Sequence, residues 1–493
     1  MPDTSILPDP AAGADSGRLS PRDRLVITLL LISAFVVILN ETIMGVALPQ
    51  LMEDLQISAS AGQWLTTAFM LTMAVVIPIT GYLIKRFNTR PIFIAAMALF
   101  SAGTLIAAVS PGFEMLVVGR VVQASGTAIM MPLLMTTVMT LVAPARRGSV
   151  MGTISIVISV APALGPTVSG IILSVLDWRW MFWLVLPISL ASLVVGAVRM
   201  QNVTTPTRVP VDIVSIVLSA FAFGGLIYGL SSVGQSAEGT AMVPAWIPLA
   251  VGVLALALFV TRQLRLQKKD AALLDLRTFK SPTFSVAIVL MMIAMLAMFG
   301  TLILLPIYLQ TVLGLEPVTI GLMLLPGGLV MGLLGPVVGR IYDRRGPTVL
   351  VVPGGAIVSL VFWAMTLFSP STPFGWVLAA HVGLSVGLAL MFTPLFTSAL
   401  GSLTPSLYSH GSAIVGTAQQ VAGAAGTALF VTVMTAVSAS QIAGGADEVA
   451  ALADGIHTAF LFGAVISVVA LAGTFLVRKP ADSPQPVAVP AEA

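Results

Sequence analysis

The sequence contains no cysteine, only three histidines and few charged residues. Without cysteine, disulfides and thiolate-bound metals are excluded. The three histidines lie in separate segments, so we expect no metal site. Charged residues make up 9% of the chain, whereas a soluble protein carries about 25%. Most of the surface must therefore face lipid rather than water.

Long apolar runs take the place of the missing charges. The chain is 57% hydrophobic, with a mean hydropathy of +1.03. A helix needs about 20 apolar residues to cross a bilayer. Runs of this length cover 25–48, 64–83, 92–110, 114–142, 150–175, 180–198, 211–231, 244–261, 283–310, 318–339, 348–368, 374–400, 411–438 and 457–477. We therefore predict an all-α polytopic membrane protein with fourteen transmembrane helices.

The basic residues are distributed unevenly around these runs. All but two of the 23 Lys and Arg residues lie in the termini or in every second connection. The exceptions are Arg120, inside the fourth run, and Arg179, in a connection on the other side. Because basic loops stay in the cytoplasm, both termini are predicted to be cytoplasmic. A net charge of only +3 gives no reason to expect a nucleic-acid partner.

An internal repeat organises the fourteen runs. IPITGYLIKRF (77–87) and GPVVGRIYDRR (335–345) share a proline, a glycine and an arginine at a constant spacing. Because these residues often end membrane helices, the three matches alone would be weak evidence for a repeat. The number of apolar runs agrees with a repeat and supports it. Runs one to six then correspond to runs nine to fourteen. The predicted domains are a tail at 1–24, a six-helix bundle at 25–199, a two-helix insert with a basic loop at 200–281, a second bundle at 282–479 and a disordered tail at 480–493.

Five motifs support a family resemblance. They are LNETIMGVALP (39–49), GYLIKRFNTR (81–90), RVVQASGTA (120–128), APALGPTVSG (161–170) and GRIYDRRG (339–346). Together they resemble the major facilitator superfamily, and within it the fourteen-span drug:proton antiporters of the EmrB/QacA type, most of all the lincomycin-efflux branch. The chain departs from the usual pattern at Asn40, where the acid has moved to Glu41, and at Lys85, which replaces an aspartate.

The resemblance implies a transporter and not an enzyme. We expect a proton-coupled multidrug efflux protein of the bacterial inner membrane that exports apolar or amphipathic compounds by alternating access. Protons would be the coupling ion, with no other cofactor, and drugs and the lipid bilayer would be the partners. An exporter of one natural metabolite, such as an antibiotic or an amino acid, remains an alternative. A non-transporting membrane sensor is a more remote one, and the need for an adaptor protein stays open.

Glu41 and Arg120 are the predicted proton-coupling residues. A carboxylate inside a membrane helix costs roughly 2–3 kcal/mol or more, and such residues usually mark ion pathways. Both residues lie roughly 10 Å from the outer ends of their runs, at 1.5 Å per residue. The alternatives are a static pair that pins two helices together and an Arg120 that binds an anionic substrate.

Three further groups of residues are predicted to serve transport. Asn40, Thr42, Gln123, Met295, Met298 and Phe299 are expected to line the substrate site, although the methionines are equally consistent with packing. The resemblance assigns Gly152, Gly165, Pro166 and Gly170 to a bend where the bundles meet, against ordinary small-residue packing. It assigns Gly81, Arg86, Arg90, Gly339, Asp343, Arg344 and Gly346 to a cytoplasmic loop gate, against charges that only set topology. GLSVG (383–387), after His381, imitates a hydrolase elbow but lies inside a run.

The charge distribution generates a topology prediction. Reporter fusions at Ser236 and Gly445 should report the outer side, and fusions at Gln267 and Pro480 the cytoplasm, because positive charge is retained inside. Activity of alkaline phosphatase and green fluorescent protein fusions measures this. An external Gln267 would place the basic 262–280 loop on the wrong side and contradict the insert.

Overall fold

Fourteen long helices form most of the chain that the structure describes. The structure, a computed structural model, describes residues 19–57, 59–203, 206–207, 210–237 and 243–478. The helices are α1 (Pro21–Asp54), α2 (Ala59–Arg86), α3 (Thr89–Ala108), α4 (Phe113–Leu141), α5 (Arg147–Val175), α6 (Arg179–Arg199), α7 (Ile213–Ala237), α8 (Trp246–Leu266), α9 (Pro282–Ile307), α10 (Pro317–Arg345), α11 (Thr348–Met365), α12 (Phe374–Gly401), α13 (Tyr408–Ala443) and α14 (Glu448–Thr474). All fourteen contain a stretch long and apolar enough to span a membrane. The predicted all-α membrane fold is confirmed.

Serine–proline pairs fix where the first helix of each bundle begins. Ser20 accepts a hydrogen bond from the backbone N–H of Asp23 at 3.1 Å, and Pro21 occupies the first turn. Ser281 caps α9 in the same way, ahead of Pro282. Proline is favoured there because the first-turn N–H groups have no helical partner. The far end of α1 differs from the prediction, because the helix continues past the predicted end at 48.

The helices group as the repeat predicts. Helices α1–α6 pack on one another, mainly through α3 with α4 and α6, and α1 with α4 and α5. Helices α9–α14 form the second bundle through α9 with α12 and α13, and α11 with α12 and α14. The result is two six-helix bundles with a two-helix insert, the arrangement that the family resemblance implies. The predicted boundaries of these units stay predictions, and the tail at 480–493 lies outside the described residues.

The two bundles meet near the helix ends that carry the basic loops, which we call the basic face. There α5 packs on α10, and α2 packs on α13. Glycines line the first contact: a Cβ added at Gly152 would lie 2.2 Å from the carbonyl oxygen of Gly335, and one at Gly339 would lie 2.1 Å from that of Gly148. Only residues without a side chain let the two backbones approach so closely. Gly81 plays the corresponding part against Ser409 of α13.

Small hydroxyl groups add polar contacts across the same face. The hydroxyl of Thr136 donates to that of Ser412 at 3.1 Å. Arg147 donates to the phenolic oxygen of Tyr408 at 3.0 Å, and its guanidinium lies 5.4 Å from the same ring. These bonds join α4 and α5 to α13. The bundles are therefore closed against each other on the basic face.

The insert lies beside this closed interface. Helix α7 packs on α8, on α2 and on α13, so it touches both bundles. Trp64 of α2 and Tyr228 of α7 have ring centroids 5.8 Å apart. Buried Gln263 at the end of α8 accepts a hydrogen bond from the backbone N–H of Leu273 at 2.8 Å, and the Leu273 carbonyl contacts His410 of α13 at 3.2 Å. The insert is thus tied through buried polar contacts to the second bundle.

The closed basic face can be tested by cross-linking. The variant with Thr136→Cys and Ser412→Cys should form a disulfide on mild oxidation, because the native hydroxyls lie 3.1 Å apart and the cysteine sulfurs would take their place. The native chain contains no cysteine that would interfere. Protection from a thiol-reactive polymer, read as a gel shift, measures the bond.

A matched control pairs Thr136→Cys with Ser438→Cys. Ser438 lies on α13, as Ser412 does, but about 39 Å further along the helix at 1.5 Å per residue. This pair should not cross-link. Equal labelling of both pairs after oxidation would contradict closure of the basic face.

Candidate transport site

Arg120 is the centre of a buried polar cluster in the first bundle. Its side chain extends from α4 and is only 1% exposed. Nη1 donates to Oε1 of Gln123 at 2.7 Å and to Oδ1 of Asn40 at 3.4 Å. The guanidinium also lies 4.0 Å from the ring centroid of Phe69 in α2. Helices α1, α2 and α4 therefore all hold this cation.

Gln123 positions the arginine. Its side-chain Nε2 donates to the hydroxyl of Thr104 in α3 at 2.8 Å, while its Oε1 receives the arginine. The residue is fully buried. A Cβ at Gly103 would lie 2.3 Å from the backbone nitrogen of Gln123. Glycine at this position therefore lets α3 approach α4 closely. Because both ends of the amide are engaged, Gln123 acts as a support for Arg120, not as a free lining group.

Glu41 lies near this cluster without joining it. The side chain is half-buried in α1, one residue after buried Asn40. Within the described part of the chain, no ion pair shorter than 4.0 Å joins Glu41 to Arg120, although the two charges interact electrostatically. The alternative of a tightly pinned pair therefore does not describe this conformation.

Arg120 also keeps one donor unused. Its Nε is buried, and no hydrogen-bond partner for it occurs among the described residues. A buried polar atom without a partner is costly and therefore uncommon. The cluster thus has one hydrogen-bond donor that is not needed to hold its own helices together.

The predicted residues of α5 have different environments. Gly165 packs against Thr42 of α1, and an added Cβ would lie 2.3 Å from the threonine hydroxyl. That hydroxyl donates to the Leu39 carbonyl at 3.0 Å. Gly152 forms the contact with α10 described above. Gly170 has open space around it, so packing does not require glycine there. Helix α5 is continuous through Pro166, whose side chain lies outside the described part.

Three methionines on one face of α9, at positions 291, 295 and 298, differ in exposure. Met291 is 1% exposed and belongs to the core. Met295, Met298 and Phe299 are half-buried, and the two methionines pack against that core. Phe299 lies 3.2 Å from the Cβ position of Gly423 in α13. These three residues therefore combine packing with an apolar surface that remains accessible.

The two copies of the loop motif behave differently. Asp343, at the end of α10, accepts hydrogen bonds from the backbone N–H groups of Gly148 and Ser149, each at 2.8 Å, and so caps the first turn of α5 in the other bundle. Gly346 ends α10 at a φ of 78°, a left-handed conformation that favours glycine. In the first copy, the position that corresponds to Asp343 is Lys85, which cannot accept such bonds.

The basic residues of the predicted gate have surroundings that differ from those of Asp343. Arg90 donates from its backbone to Asn202, just after α6, at 3.1 Å and from its side chain to the Ala197 carbonyl of α6. Arg344 is exposed at the basic face, and Arg86 lies beside Lys85 at the end of α2. Asp343 thus adds hydrogen bonds between the bundles to the close packing of the gate glycines Gly81 and Gly339.

Sequence reasoning missed several members of these clusters. Phe69, Thr104 and Ser149 belong to no recognised motif, and each acts by contacting a motif residue on another helix. Spacing along the chain carries no signal for such contacts. The internal repeat does carry a signal of this kind. It relates Phe69 to Gly327, which lies 258 residues later at the equivalent position of the second bundle.

Comparison with known proteins agrees with this architecture. The model of the Major Facilitator Superfamily matches residues 30–427. The lincomycin resistance protein LmrB of Listeria monocytogenes is 41% identical over 92% of this chain and 96% of its own length. The multidrug resistance protein B homolog of Mycobacterium tuberculosis is 30% identical over 86% of this chain and 80% of its own.

A solved structure shares the fold. The crystal structure of the human organic anion transporter MFSD10 superposes with a TM-score of 0.64 over 93% of this chain and 100% of that one, at 15% identity. At that identity the likeness concerns the fold alone. The family match and the relatives lead to one conclusion: this chain is a fourteen-helix membrane transporter that belongs to the major facilitator superfamily.

Proposed function

We propose that the protein is a proton-coupled exporter of apolar or amphipathic drugs in the bacterial inner membrane, with both termini in the cytoplasm. Relatives that cover almost the whole chain are named for lincomycin and multidrug resistance. The observation that carries the coupling proposal is Glu41, a half-buried membrane carboxylate near Arg120 but outside ion-pair distance.

The surroundings of Arg120 suit a carboxylate that changes protonation. Asn40 and Gln123 give the guanidinium neutral oxygen acceptors. Arg120 therefore remains held in place whether Glu41 is charged or neutral. Burial favours the neutral acid and the nearby cation favours the carboxylate. A change in solvent access during the cycle can then shift the balance and load or release a proton.

The closed basic face assigns a direction to this cycle. With the basic face in the cytoplasm, the conformation seen here is shut on the cytoplasmic side. A proton that arrives from outside would neutralise Glu41 and favour release of the drug outward. Loss of the proton towards the cytoplasm would restore the carboxylate and the affinity for a new drug molecule.

Reopening the cytoplasmic side requires specific bonds to break. Asp343 must leave the first turn of α5, and the hydroxyl contact between Thr136 and Ser412 must separate. Losing a helix cap costs about 0.5–2 kcal/mol. This free-energy cost is small. It is consistent with Asp343 as the part of the loop gate that holds the outward-facing conformation.

Met295, Met298 and Phe299 suit varied apolar ligands, since methionine side chains are flexible and polarizable. An exporter of a single antibiotic is the second candidate, because three of the close relatives carry the name lincomycin resistance protein. Uptake of a panel of unrelated drugs into everted membrane vesicles distinguishes the two. Transport of lincomycin alone would favour the narrower function.

Glu41→Gln tests the coupling. The amide keeps the shape of the side chain but cannot give up a proton, so transport driven by a pH gradient in proteoliposomes should fall to background. Membrane insertion should persist, and drug binding should weaken, because the amide resembles the neutral acid. Glu41→Asp should retain partial transport. Wild-type rates in Glu41→Gln would exclude this residue as the proton carrier.

Arg120→Ala should affect stability more than Glu41→Gln does. Removal of the guanidinium leaves the Gln123 carbonyl buried without a donor, which costs about 1–3 kcal/mol, whereas loss of a buried charge at Glu41 relieves desolvation. The unfolding temperature of both variants in the same detergent measures this. An Arg120→Ala protein as stable as Glu41→Gln would show that the cluster does not support the bundle.

A further inference from the structure

The two bundles follow one packing register closely enough to relate individual residues. Gly126 of α4 meets the carbonyl of Ala96 and the nitrogen of Phe100 in α3. Gly387 of α12 meets the carbonyl of Gly354 and the nitrogen of Val358 in α11. The same contact is thus made twice. The α3 and α11 residues are 258 positions apart, as in the loop motif, whereas the two glycines are 261 apart, because the stretch that joins the contacting positions is three residues longer in the second bundle.

This register makes His381 the counterpart of Arg120. Arg120 precedes Gly126 by the same interval as His381 precedes Gly387, and Phe113 and Phe374 begin the two helices at equivalent positions. Both side chains therefore lie at the same depth in their bundles. The internal repeat therefore pairs Arg120 with a nitrogen-bearing side chain at the equivalent position of the second bundle.

The contacts of the two residues correspond as well. Arg120 lies over Phe69 of α2, 4.0 Å from the ring centroid. The repeat relates Phe69 to Gly327 of α10, and a Cβ at Gly327 would lie 2.3 Å from Nε2 of His381. The imidazole thus fills the space that a side chain at Gly327 would need. Glycine at 327 is a condition for histidine at 381.

Hydrogen bonding decides which imidazole nitrogen carries the proton. Nε2 lies 3.1 Å from the carbonyl oxygen of Leu324 in α10. A carbonyl can only accept, so Nε2 donates, and in the neutral ring Nδ1 then has a free lone pair. Nδ1 is buried, and no partner for it occurs among the described residues.

The related positions therefore offer complementary groups. Nε of Arg120 is a donor and Nδ1 of His381 is an acceptor, and both are buried without a partner in the described structure. Two unsatisfied atoms at equivalent positions are hard to explain by packing, because each one costs stability. A bound compound that carries both an acceptor and a donor would satisfy them together.

We propose that His381 is a substrate-contacting residue of the second bundle, whose Nδ1 accepts a hydrogen bond from an N–H or O–H group of the exported compound. The inference rests on the proposed export function and adds a chemical requirement to it. Preferred substrates carry a hydrogen-bond donor on an apolar framework. His381 thus sets specificity, while Glu41 carries the proton.

Two conservative variants separate the roles of the two ring nitrogens. In His381→Gln the terminal amide nitrogen takes the place of Nε2, so the bond to Leu324 is kept and the Nδ1 acceptor is lost. In His381→Asn the terminal oxygen takes the place of Nδ1, so the acceptor is kept and the bond to Leu324 is lost. A purely structural histidine is therefore better replaced by glutamine, and a substrate-contacting one by asparagine.

The probes are two fluorescent cations on the same xanthene framework. Rhodamine 6G carries N–H donors, and tetramethylrhodamine ethyl ester has none. Transport into everted vesicles gives KM for each. In His381→Gln we expect KM for rhodamine 6G to rise about threefold to tenfold, the loss of one hydrogen bond, with KM for the ester unchanged. His381→Asn should keep the wild-type preference.

Other outcomes overturn the inference. Equal changes for both dyes in both variants would make His381 a packing residue, and unchanged kinetics in His381→Gln would show that Nδ1 contacts no substrate. In either case the wild-type protein would still export the dyes, so the proposed function would stand. Failure of the wild type to export either dye or lincomycin would instead contradict the proposed function, and this inference with it.

Discussion

A guanidinium inside a membrane-spanning bundle is the constraint on which the first half of the structure depends. Because no water is available in hydrocarbon, the protein itself must satisfy the charge and its N–H groups. Asn40, Gln123 and Phe69 contact the guanidinium from three helices, and Thr104 of α3 holds Gln123 in turn, while Nε keeps no partner among the described residues. The partners are neutral or aromatic, so the cation remains available to influence Glu41 without being neutralised by it.

A second constraint is that two bundles must close tightly and still separate. Gly148, Gly152, Gly335 and Gly339 bring two backbones together with little side-chain interlocking. The polar contacts over them are few and individually weak, as with Thr136 and Ser412. Asp343 is the exception, a carboxylate on one bundle that caps a helix of the other. This combination is consistent with a face that holds one conformation without trapping it.

Much of this could be predicted from the sequence. Run lengths indicated fourteen helices, and the motifs indicated the family, because both signals are local. The similar depth of Glu41 and Arg120 could be predicted from their positions along two helices. The absence of a direct bond between Glu41 and Arg120 could not be predicted, since it depends on helix rotation. Nor could the structural role of Gln123, whose second partner, Thr104, belongs to no motif.

Other features became visible only when sequence and contacts were combined. His381 is unremarkable as a sequence feature beside GLSVG, and its relation to Arg120 emerges because Gly126 and Gly387 make the same contact in two bundles. The insert likewise had no assigned role. Its contacts with α2 and α13 place it beside the contact between those two helices, one of the two contacts between the bundles that must open.

Proton release from the purified protein tests the central claim most directly. Addition of rhodamine 6G to detergent-solubilised protein in weakly buffered solution at pH 7 should release protons, detected by a pH-sensitive dye. Release should be abolished in Glu41→Gln at matched occupancy, measured by fluorescence anisotropy. Equal release from both proteins would contradict the assignment of Glu41 as the carboxylate that exchanges a proton for a drug.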